Sequence, residues 1–427
     1  MKQEILKRFF RYVAIDTQSM EGVENRYPST EKQKDLSRLL AGELRDLGLA
    51  DAVMEQSGVV MATLESNLPA SQASSVPVIG WLAHVDTSPD VSGAGVKPVT
   101  HPDYRGGDIP LPGDASQVIR VSENPELLRH IGETLVTSDG TTLLGADNKA
   151  GIAIIMTALE RLVRNPSIPR GRIRVGFTPD EEIGNGTARF DVGRFAADAA
   201  YTVDGSTLGE IENETFNASA ASFTVHGINV HPGYARDKLV NAVRIAADLI
   251  SELRGDPAPE NTEKREGYLH PCAVEGGVEK SIVRVLIRDF ESSGVEDKSR
   301  RLEAIRGRVE ARWPGCRIAL DIRESYRNMR LVLDHHPAVT EAAMEAVRRA
   351  GVEPRLQIIR GGTDGAKLCF MGLPTPNLFT GGQNFHSRQE WISVTDMEKA
   401  VETLVQLAQV WVEKSESVKQ RKRDPGV

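Results

Sequence analysis

Short apolar segments that end directly in acidic or histidine side chains are the feature that most limits how this chain can fold. Three such segments predict buried strands, at residues 78–83, 172–177 and 199–203. The polar residues that follow them are His84 and Asp86, then Glu181 and Glu182, and then Asp204. A helical pattern of apolar residues lies between the first two strands, and strands alternating with helices favour a mostly parallel sheet with helices on both faces. Because such sheets bind ligands beyond the carboxyl ends of their strands, we expect these polar side chains to share one edge.

The middle of the chain lacks this pattern of polar strand ends. Its predicted elements are, in order, a strand at 222–230, a helix at 241–253, a strand at 281–288, a helix at 298–311 and a strand at 317–323. We interpret this part as a smaller α+β domain inserted into the α/β domain. The expected division is 1–214 and 329–412 for the α/β domain, 215–328 for the inserted domain, and 413–427 for a charged tail that includes the basic run 419–423.

Charge and composition favour some partners over others. The formal net charge of −8 argues mildly against a nucleic-acid surface, which usually needs a basic patch. No apolar run approaches the roughly 18 residues of a membrane helix, and the N-terminus lacks the apolar stretch of a signal peptide. The three cysteines are scattered and form no CxxC pair, which favours a reducing compartment. We therefore expect a cytoplasmic protein with no nucleic-acid and no membrane partner.

His84 and Asp86 form the first candidate site. Residues two apart on an extended segment face the same way, so Asp86 can accept a hydrogen bond from the ring nitrogen that His84 does not give to a metal. Such a bond fixes the tautomer of a metal-binding histidine and raises its basicity. Taken alone, however, a His-x-Asp pair is more often a surface pair whose hydrogen bonds are satisfied without a metal.

Asp147 and the pair Glu181 and Glu182 are the next candidates. A carboxylate just before a helix, as at Asp147, is usually an N-cap, but it can also bridge two metals with one oxygen to each. Two adjacent acids after a strand are usually solvated. The alternative is that one of them binds a metal while the other takes a proton from a metal-bound water, with cations neutralising the like charges.

The remaining candidates are weaker when taken singly. They are Asp204 after a strand, His231 in an Asn-Val-His-Pro-Gly segment, His386 after a glycine-rich turn, and the turn at 360–365, whose backbone can approach a ligand closely. Together, two histidines and three or four carboxylates form a ligand set that suits Zn²⁺ or a similar ion. The sequence has no Gly-x-Ser-x-Gly elbow, no Walker loop and no His-Glu-x-x-His helix.

The order of these motifs resembles a known family. His-x-Asp, then Asp-x-Lys-x-Gly, Glu-Glu, Asp and a late His is similar to the di-zinc family of aminoacylases and carboxypeptidases. The segments that carry the resemblance span almost the whole chain: 15–19, 83–90, 144–151, 178–184, 230–233, 288–290, 360–365 and 379–382. The resemblance implies a catalytic domain with a central, mostly parallel mixed sheet flanked by helices, and an inserted α+β domain that serves as a lid and for dimerisation.

The resemblance also implies a set of metal ligands. His84 and Asp204 would bind one zinc, Glu182 and His386 the other, and Asp147 would bridge them. The expected cofactors are two Zn²⁺ per subunit, with Co²⁺ or Mn²⁺ as alternatives. The family often has a cis peptide bond after the bridging aspartate, which here would join Asp147 to Asn148.

Further roles follow from the same resemblance. Asp86 would orient His84, Glu181 would be the general base, and His231 would stabilise the oxyanion. In this family that histidine sits on the small domain and, in dimers, reaches into the partner's site. The resemblance therefore also implies a homodimer that forms through the inserted domain.

Substrate and activity are expected on the same ground. Arg288 and Arg360 would pair with the terminal carboxylate of a short peptide. The activity implied is that of a metal-dependent aminopeptidase that releases the N-terminal residue from tripeptides. The alternatives are a related di-zinc dipeptidase, carboxypeptidase or N-acyl amino acid deacylase, or a non-catalytic binding protein. The sequence leaves open the side-chain preference at the cleaved bond, the native metal and the group that reads the substrate's α-amine.

Overall fold

The computed structural model describes the backbone of residues 1–423 and the side chains of residues 1–415. It divides into two compact units. The first consists of Met1–Asn213, Val332–Gln357 and the chain from Thr363 onward, and the second of Glu214–Leu331 and Ile358–Gly362. The side chains of the basic run 419–423, predicted as part of a charged tail, and all of residues 424–427 lie outside this description.

Helices occur along the whole length of both units. In chain order they are α1 (Lys2–Val13), α2 (Gln33–Asp46), α3 (Ala70–Ala73), α4 (Ala146–Arg164), α5 (Val192–Phe195), α6 (Ala242–Glu252), α7 (Ser292–Arg312), α8 (Arg330–Leu333), α9 (Pro337–Arg349), α10 (Asp364–Phe370) and α11 (Val394–Arg423). Short 3-10 helices cover Pro125–His130, Pro232–Tyr234 and Pro259–Asn261.

Strands lie between these helices in both units. In chain order they are β1 (Val53–Met54), β2 (Val60–Leu64), β3 (Ile79–His84), β4 (Val99–His101), β5 (Ile109–Pro110), β6 (Val118–Ile119), β7 (Leu135–Thr137), β8 (Ile173–Thr178), β9 (Ala199–Gly205), β10 (Glu210–Thr215), β11 (Asn217–His226), β12 (Tyr268–Gly276), β13 (Lys280–Asp289), β14 (Arg317–Tyr326), β15 (Arg355–Ile359), β16 (Asn377–Phe379), β17 (Gly382–Gln383) and β18 (Trp391–Ser393).

The largest sheet has eight strands in the order β1-β2-β8-β3-β9-β16-β10-β15. Its centre is parallel, because β3 pairs in parallel with β8 and β9, and β9 pairs in parallel with β16. Antiparallel pairs flank this centre, namely β1 with β2, β2 with β8, and β10 with β16. The predicted α/β fold with a mostly parallel mixed sheet flanked by helices is confirmed.

Both faces of this sheet are covered, which explains why β3 is apolar up to its last residue, His84. Ile79 and Trp81 point into the larger core, which also contains residues of α1, α4, α9 and α11. Leu82 points into a smaller cluster on the other face, with Phe195 of α5. Gly80 allows that second packing, because a Cβ there would lie 2.5 Å from the Phe195 ring.

The second unit is built on an antiparallel sheet of four strands, in the order β12-β13-β11-β14. Alternate residues of β13, Val283, Val285 and Ile287, are buried against α6 and α7. This alternation is expected of a sheet with one covered face. The sequence pattern predicted three strands here, and the strand it missed is β12, which contains Pro271 and lies at the edge of the sheet.

Two smaller sheets complete the first unit. One has the order β17-β18-β7-β4, and the other pairs β5 with β6. Four of their short strands, β4 to β7, lie in the segment between 90 and 140, which is rich in glycine and proline. Across the described part of the chain, no helix has the length and apolarity needed to cross a membrane.

Candidate functional site

The parallel centre of the large sheet brings the candidate residues to one edge. His84 is the last residue of β3, and Thr178 ends the neighbouring strand β8 just before Glu181 and Glu182. On the other side of β3, Asp204 lies near the end of β9. Because parallel strands end at the same edge, residues more than 100 positions apart become neighbours.

His84, Asp147 and Asp204 form the first group of candidate metal ligands. His84 Nε2 lies 2.9 Å from Asp147 Oδ1 and 3.3 Å from Asp204 Oδ1. The other ring nitrogen, Nδ1, lies 3.1 Å from the backbone oxygen of Asp86. A proton on Nδ1 satisfies the oxygen of Asp86 and leaves the lone pair of Nε2 available to a metal ion.

Asp147, Glu182 and His386 form the second group. His386 Nε2 lies 2.7 Å from Glu182 Oε2 and 3.4 Å from Asp147 Oδ2. Asp147 therefore offers Oδ1 to the first group and Oδ2 to the second. His386 Nδ1 lies 3.2 Å from Asp90, an exposed carboxylate that the sequence motifs did not single out.

The electrostatics of the two groups favour bound cations. Burial, together with the charge of Asp147, raises the pKa of Glu182 to about 8. Burial likewise raises the pKa of Asp204 to about 7. Burial also acts to raise the pKa of Asp147, but hydrogen bonds from His386 and His84 outweigh it and hold that pKa below its usual value. Like charges this close are tolerated when positive charge is added between them.

The donor atoms present fit metal ions. Each group offers one imidazole nitrogen and two carboxylate oxygens, all within 4.8 Å of one another. Glu182 Oε1 is buried and has no hydrogen-bond partner among the described residues. A buried polar atom left without a partner is costly, and coordination to an ion satisfies it. Imidazole and carboxylate together suit Zn²⁺ and similar divalent ions.

Asp86 does more than orient His84, the one role that the family resemblance implies for it. Its Oδ1 lies 3.3 Å from His84 Nδ1 and also accepts the backbone N–H of Glu181 at 3.0 Å. Its Oδ2 accepts the backbone N–H of Glu182 at 3.1 Å. One buried carboxylate thus holds a candidate ligand from each metal group, together with Glu181.

Glu181 directly precedes the candidate ligand Glu182 and is partly buried. Burial raises the pKa of its carboxyl group well above the usual value, the charges of Asp204 and Asp364 add to that rise, and His84 opposes it. This carboxyl group, near the candidate ligands His84 and Asp204, therefore holds a proton more strongly than a solvent-exposed glutamate does.

The start of α4 gives Asp147 its position. The peptide bond between Asp147 and Asn148 is cis, as the family resemblance implied. Gly151, in the next turn of α4, permits close packing on β9, because a Cβ there would lie 1.9 Å from the backbone oxygen of Val203. The glycine of the Asp-x-Lys-x-Gly motif therefore has a packing role.

Glu390 is a buried residue of the site that the sequence motifs did not reveal. Its Oε2 accepts the backbone N–H groups of Leu144 at 2.7 Å and Gly145 at 2.8 Å, and its Oε1 accepts that of Asp147 at 3.0 Å. It therefore fixes the backbone that carries the shared carboxylate. No local motif marks it, since it is a single acid before an apolar strand.

A second network that the motifs did not reveal supports Asp204. Its backbone N–H donates to Asn377 Oδ1 at 3.0 Å, and Asn377 Nδ2 donates to Glu212 Oε2 at 2.6 Å. Burial raises the pKa of Glu212 to about 8. A chain of buried hydrogen bonds therefore connects β9, β16 and β10 behind the candidate ligand.

His231 and Arg288 belong to the second unit. His231 is exposed, and its Nδ1 accepts the backbone N–H of Gly233 at 3.1 Å. In the neutral ring this leaves the proton on Nε2, which is then a hydrogen-bond donor. Arg288 Nη1 donates to the backbone oxygens of Ser219 at 3.2 Å and Ile287 at 3.0 Å.

Arg360 also belongs to the second unit, where it holds a loop. Its Nη1 donates to the backbone oxygens of Lys264 at 2.9 Å and Glu266 at 3.1 Å, and its Nη2 donates to Thr262 Oγ1 at 2.8 Å. Its guanidinium lies 5.3 Å from the ring centre of Phe216. Much of its hydrogen-bonding capacity is therefore used inside the unit.

Comparison with known proteins agrees with this arrangement. A peptidase T of Geobacillus kaustophilus (strain HTA426) is 45% identical over 415 residues, which cover 97% of this chain and 100% of that protein. The crystal structure of an aminopeptidase, PepT, from Bacillus cereus ATCC 10987 has a TM-score of 0.73 at 23% identity and covers 96% of this chain and 99% of that chain. A dinuclear metal-binding peptidase of the M20 family from Bacillus subtilis has a TM-score of 0.63 at 14% identity and covers 96% of this chain and 98% of that chain. Residues 138–410 match the sequence model of a protein family, Peptidase family M20/M25/M40. This chain therefore belongs to the peptidase family M20/M25/M40.

Proposed function

We propose that this chain is a metal-dependent aminopeptidase that releases the N-terminal residue from tripeptides. The observation that carries the proposal is that two ligand groups share Asp147, with one carboxylate oxygen facing each histidine. Paired metal ions of this kind occur in aminopeptidases. The relative that is 45% identical over 97% of the chain is a peptidase T, which supports the same activity.

The metal ligands are assigned by group. His84 and Asp204 would hold one ion, Glu182 and His386 would hold the other, and Asp147 would contribute one carboxylate oxygen to each. We propose Zn²⁺ as the native ion, with Co²⁺ or Mn²⁺ as alternatives, because imidazole and carboxylate ligands suit these metals. When bound, two such ions supply Lewis-acid activation of a water molecule and of the peptide carbonyl.

Glu181 moves the protons in the proposed reaction. The oxygen of a water molecule bonds to the peptide carbonyl carbon while Glu181 takes a proton from that water. The same proton then passes to the amine nitrogen as the carbon–nitrogen bond breaks. The hydrogen bond from the Glu181 backbone to Asp86 supports this assignment, because it fixes the base relative to His84.

The second unit supplies the proposed substrate contacts. His231, with Nε2 as a donor, stabilises the oxyanion of the tetrahedral intermediate. Arg288 and Arg360 pair with the carboxylate of the tripeptide, which limits its length. Because Arg360 also holds the loop at 262–266, its substitution is expected to disturb that loop as well as substrate affinity.

The assembly and its location are part of the same proposal. The inserted domain serves as a lid and as the contact of a homodimer, and the enzyme works in the cytoplasm on short peptides. The absence of a CxxC pair from the sequence supports the reducing compartment. Size-exclusion chromatography with light scattering measures the dimer, and a single-chain mass at micromolar concentration contradicts that part.

A panel of di-, tri- and tetrapeptides with free or blocked ends, assayed with and without chelator, tests the activity. We expect release of the first residue from tripeptides with a free amine, and loss of that release with chelator. Exclusive cleavage of dipeptides, of N-acylated amino acids or at the C-terminus would instead identify one of the related di-zinc activities. A metal-loaded chain that cleaves none of these would be a binding protein.

Glu181→Gln is the matched variant for this panel, because it removes the base and keeps the size of the side chain. We expect it to retain both metal ions and to lose turnover by a factor of about 10²–10⁴, the usual contribution of general-base catalysis. Metal content by mass spectrometry and steady-state turnover are the two measurements. Turnover close to that of the unmodified enzyme would remove Glu181 from the mechanism.

A further inference from the structure

A third cluster of metal-binding side chains lies in the first unit and shares no residue with the two groups described above. It consists of His130, Glu133 and Asp396, which we call the His130 cluster. His130 ends a 3-10 helix, Glu133 precedes β7, and Asp396 is in the first turn of α11. Each offers one ligand atom, and these atoms all lie within 4.8 Å of one another.

The imidazole of His130 lies close to both carboxylates of the cluster. His130 Nδ1 lies 2.9 Å from Glu133 Oε2, and His130 Nε2 lies 3.9 Å from Asp396 Oδ2. The second distance exceeds a hydrogen bond, so His130 Nε2 and Asp396 Oδ2 are not hydrogen-bonded. A metal ion takes one imidazole nitrogen, and the cluster offers one such nitrogen and two carboxylate oxygens that all lie within 4.8 Å of one another.

Asp396 is the independent sign of a missing ligand. Its side chain is buried, with 2% of the residue exposed, and its Oδ1 has no hydrogen-bond partner among the described residues. Glu133, in contrast, accepts a hydrogen bond from Ser393 Oγ at 2.6 Å. A buried carboxylate oxygen without a partner is costly, and a cation removes that cost.

The local charge also favours a cation. Three carboxylates lie near the imidazole of His130, namely Glu133 and Asp396 of the cluster and Glu126 beside it. Glu126 forms an ion pair with Arg129, at 2.8 Å between Glu126 Oε2 and Arg129 Nη1. Two carboxylates thus share one imidazole inside the cluster, and a divalent ion would balance them.

We propose that His130, Glu133 and Asp396 bind a third divalent ion, of the Zn²⁺ class, which links two segments of the first unit. One imidazole and two carboxylates are a ligand set that zinc accepts, with water in the remaining position. The ion joins the start of α11 to the segment before β7. The ring of Trp391 packs edge-on against His130, at 5.4 Å between ring centroids. Because Trp391 directly follows Glu390 and begins β18, the ion also stiffens the strand beside Glu390.

The test counts metal ions in the full-length protein after equilibration with ZnCl₂ and removal of free metal by gel filtration. We expect three zinc ions per chain in the unmodified protein, one for each ligand group, and two in Asp396→Asn. His101→Gln is the matched control, since His101 bonds Thr137 Oγ1 at 3.0 Å outside the cluster, and it should retain three ions. Two ions in the unmodified protein, or three in Asp396→Asn, would overturn the proposal.

A second measurement needs no variant and holds even where Asp396→Asn fails to fold. Crystals of the unmodified protein grown with ZnCl₂ are measured at the zinc absorption edge. An anomalous peak between His130 and Asp396 supports the site. Peaks at the groups that share Asp147, with none at the His130 cluster, overturn it. Because neither measurement uses peptide hydrolysis, the outcome is separate from that of the proposed enzymatic function.

Discussion

Asp86→Asn is the perturbation for which the structure makes the sharpest prediction. Three donors meet the two oxygens of Asp86: His84 Nδ1 and the backbone N–H of Glu181 at Oδ1, and the backbone N–H of Glu182 at Oδ2. An asparagine offers one oxygen and one amide nitrogen. Whichever way the amide turns, at least one buried N–H then faces another donor, which costs about 1–3 kcal/mol.

The loss should appear mainly in metal affinity. Asp86 holds His84 of one ligand group and the backbone of Glu182 of the other. The substitution therefore disturbs the position of a ligand in both groups at once. Removing a carboxylate that orients a metal-binding histidine typically costs about 10–100-fold in metal affinity or activity. We expect weaker zinc binding in a competition titration with a coloured chelator, and lower turnover at saturating zinc, since the backbone of Glu181 also moves.

Asp90→Asn is the matched control for this experiment. Asp90 faces His386 as Asp86 faces His84, at 3.2 Å from Nδ1, but its side chain is 65% exposed. Exposed ion pairs contribute little, so we expect zinc affinity to change by less than about fivefold. Equal losses of zinc affinity in the two variants, or an Asp86→Asn protein that binds zinc as tightly as the unmodified one, would refute the reasoning.

Three further predictions concern other parts of the structure. Glu390→Gln keeps the size of the side chain but cannot accept all three backbone N–H groups, so we expect zinc affinity to fall by about 10–100-fold in the same titration; unchanged affinity would show that Glu390 does not position the shared ligand. Tyr201→Phe removes a hydroxyl that donates to the Val339 backbone oxygen at 2.9 Å and accepts from Trp411 Nε1 at 3.0 Å. It should lower the unfolding free energy by about 1–3 kcal/mol in urea titrations and leave the metal content intact, and equal stability would contradict it. His231→Ala should lower turnover by about 10²–10³ with both catalytic ions retained, whereas full turnover would exclude it from oxyanion stabilisation.

The second unit illustrates where sequence patterns lose information. The strands with one buried face were predicted because apolar and polar residues alternate along them, as in β13. β12 was not predicted, since it lies at the sheet edge, contains Pro271 and has a register shift between Pro271 and Ala273. Edge strands bury less of their length, and their apolar period is correspondingly weak.

The sequence by itself determined the fold class and the identity of the candidate ligands. Apolar runs such as 78–83 must be central strands because both of their faces are buried, and parallel neighbours then present their polar ends at one edge. The residue types at those ends, imidazole and carboxylate, already restrict the chemistry to hard or borderline metal ions. These properties are local, so a linear pattern can express them.

Only the tertiary structure decided how those residues pair and what supports them. In the structure one oxygen of Asp147 lies near each of two histidines. Asp86 accepts hydrogen bonds from the backbone N–H groups of Glu181 and Glu182. Glu390 likewise accepts a hydrogen bond from the backbone N–H of Asp147, which lies 243 residues earlier in the chain. Such contacts depend on the packing of distant segments, and a buried acid that serves them has the same local sequence as a solvated one. The physical reason is that desolvation and hydrogen bonding act in space, whereas periodicity acts along the chain.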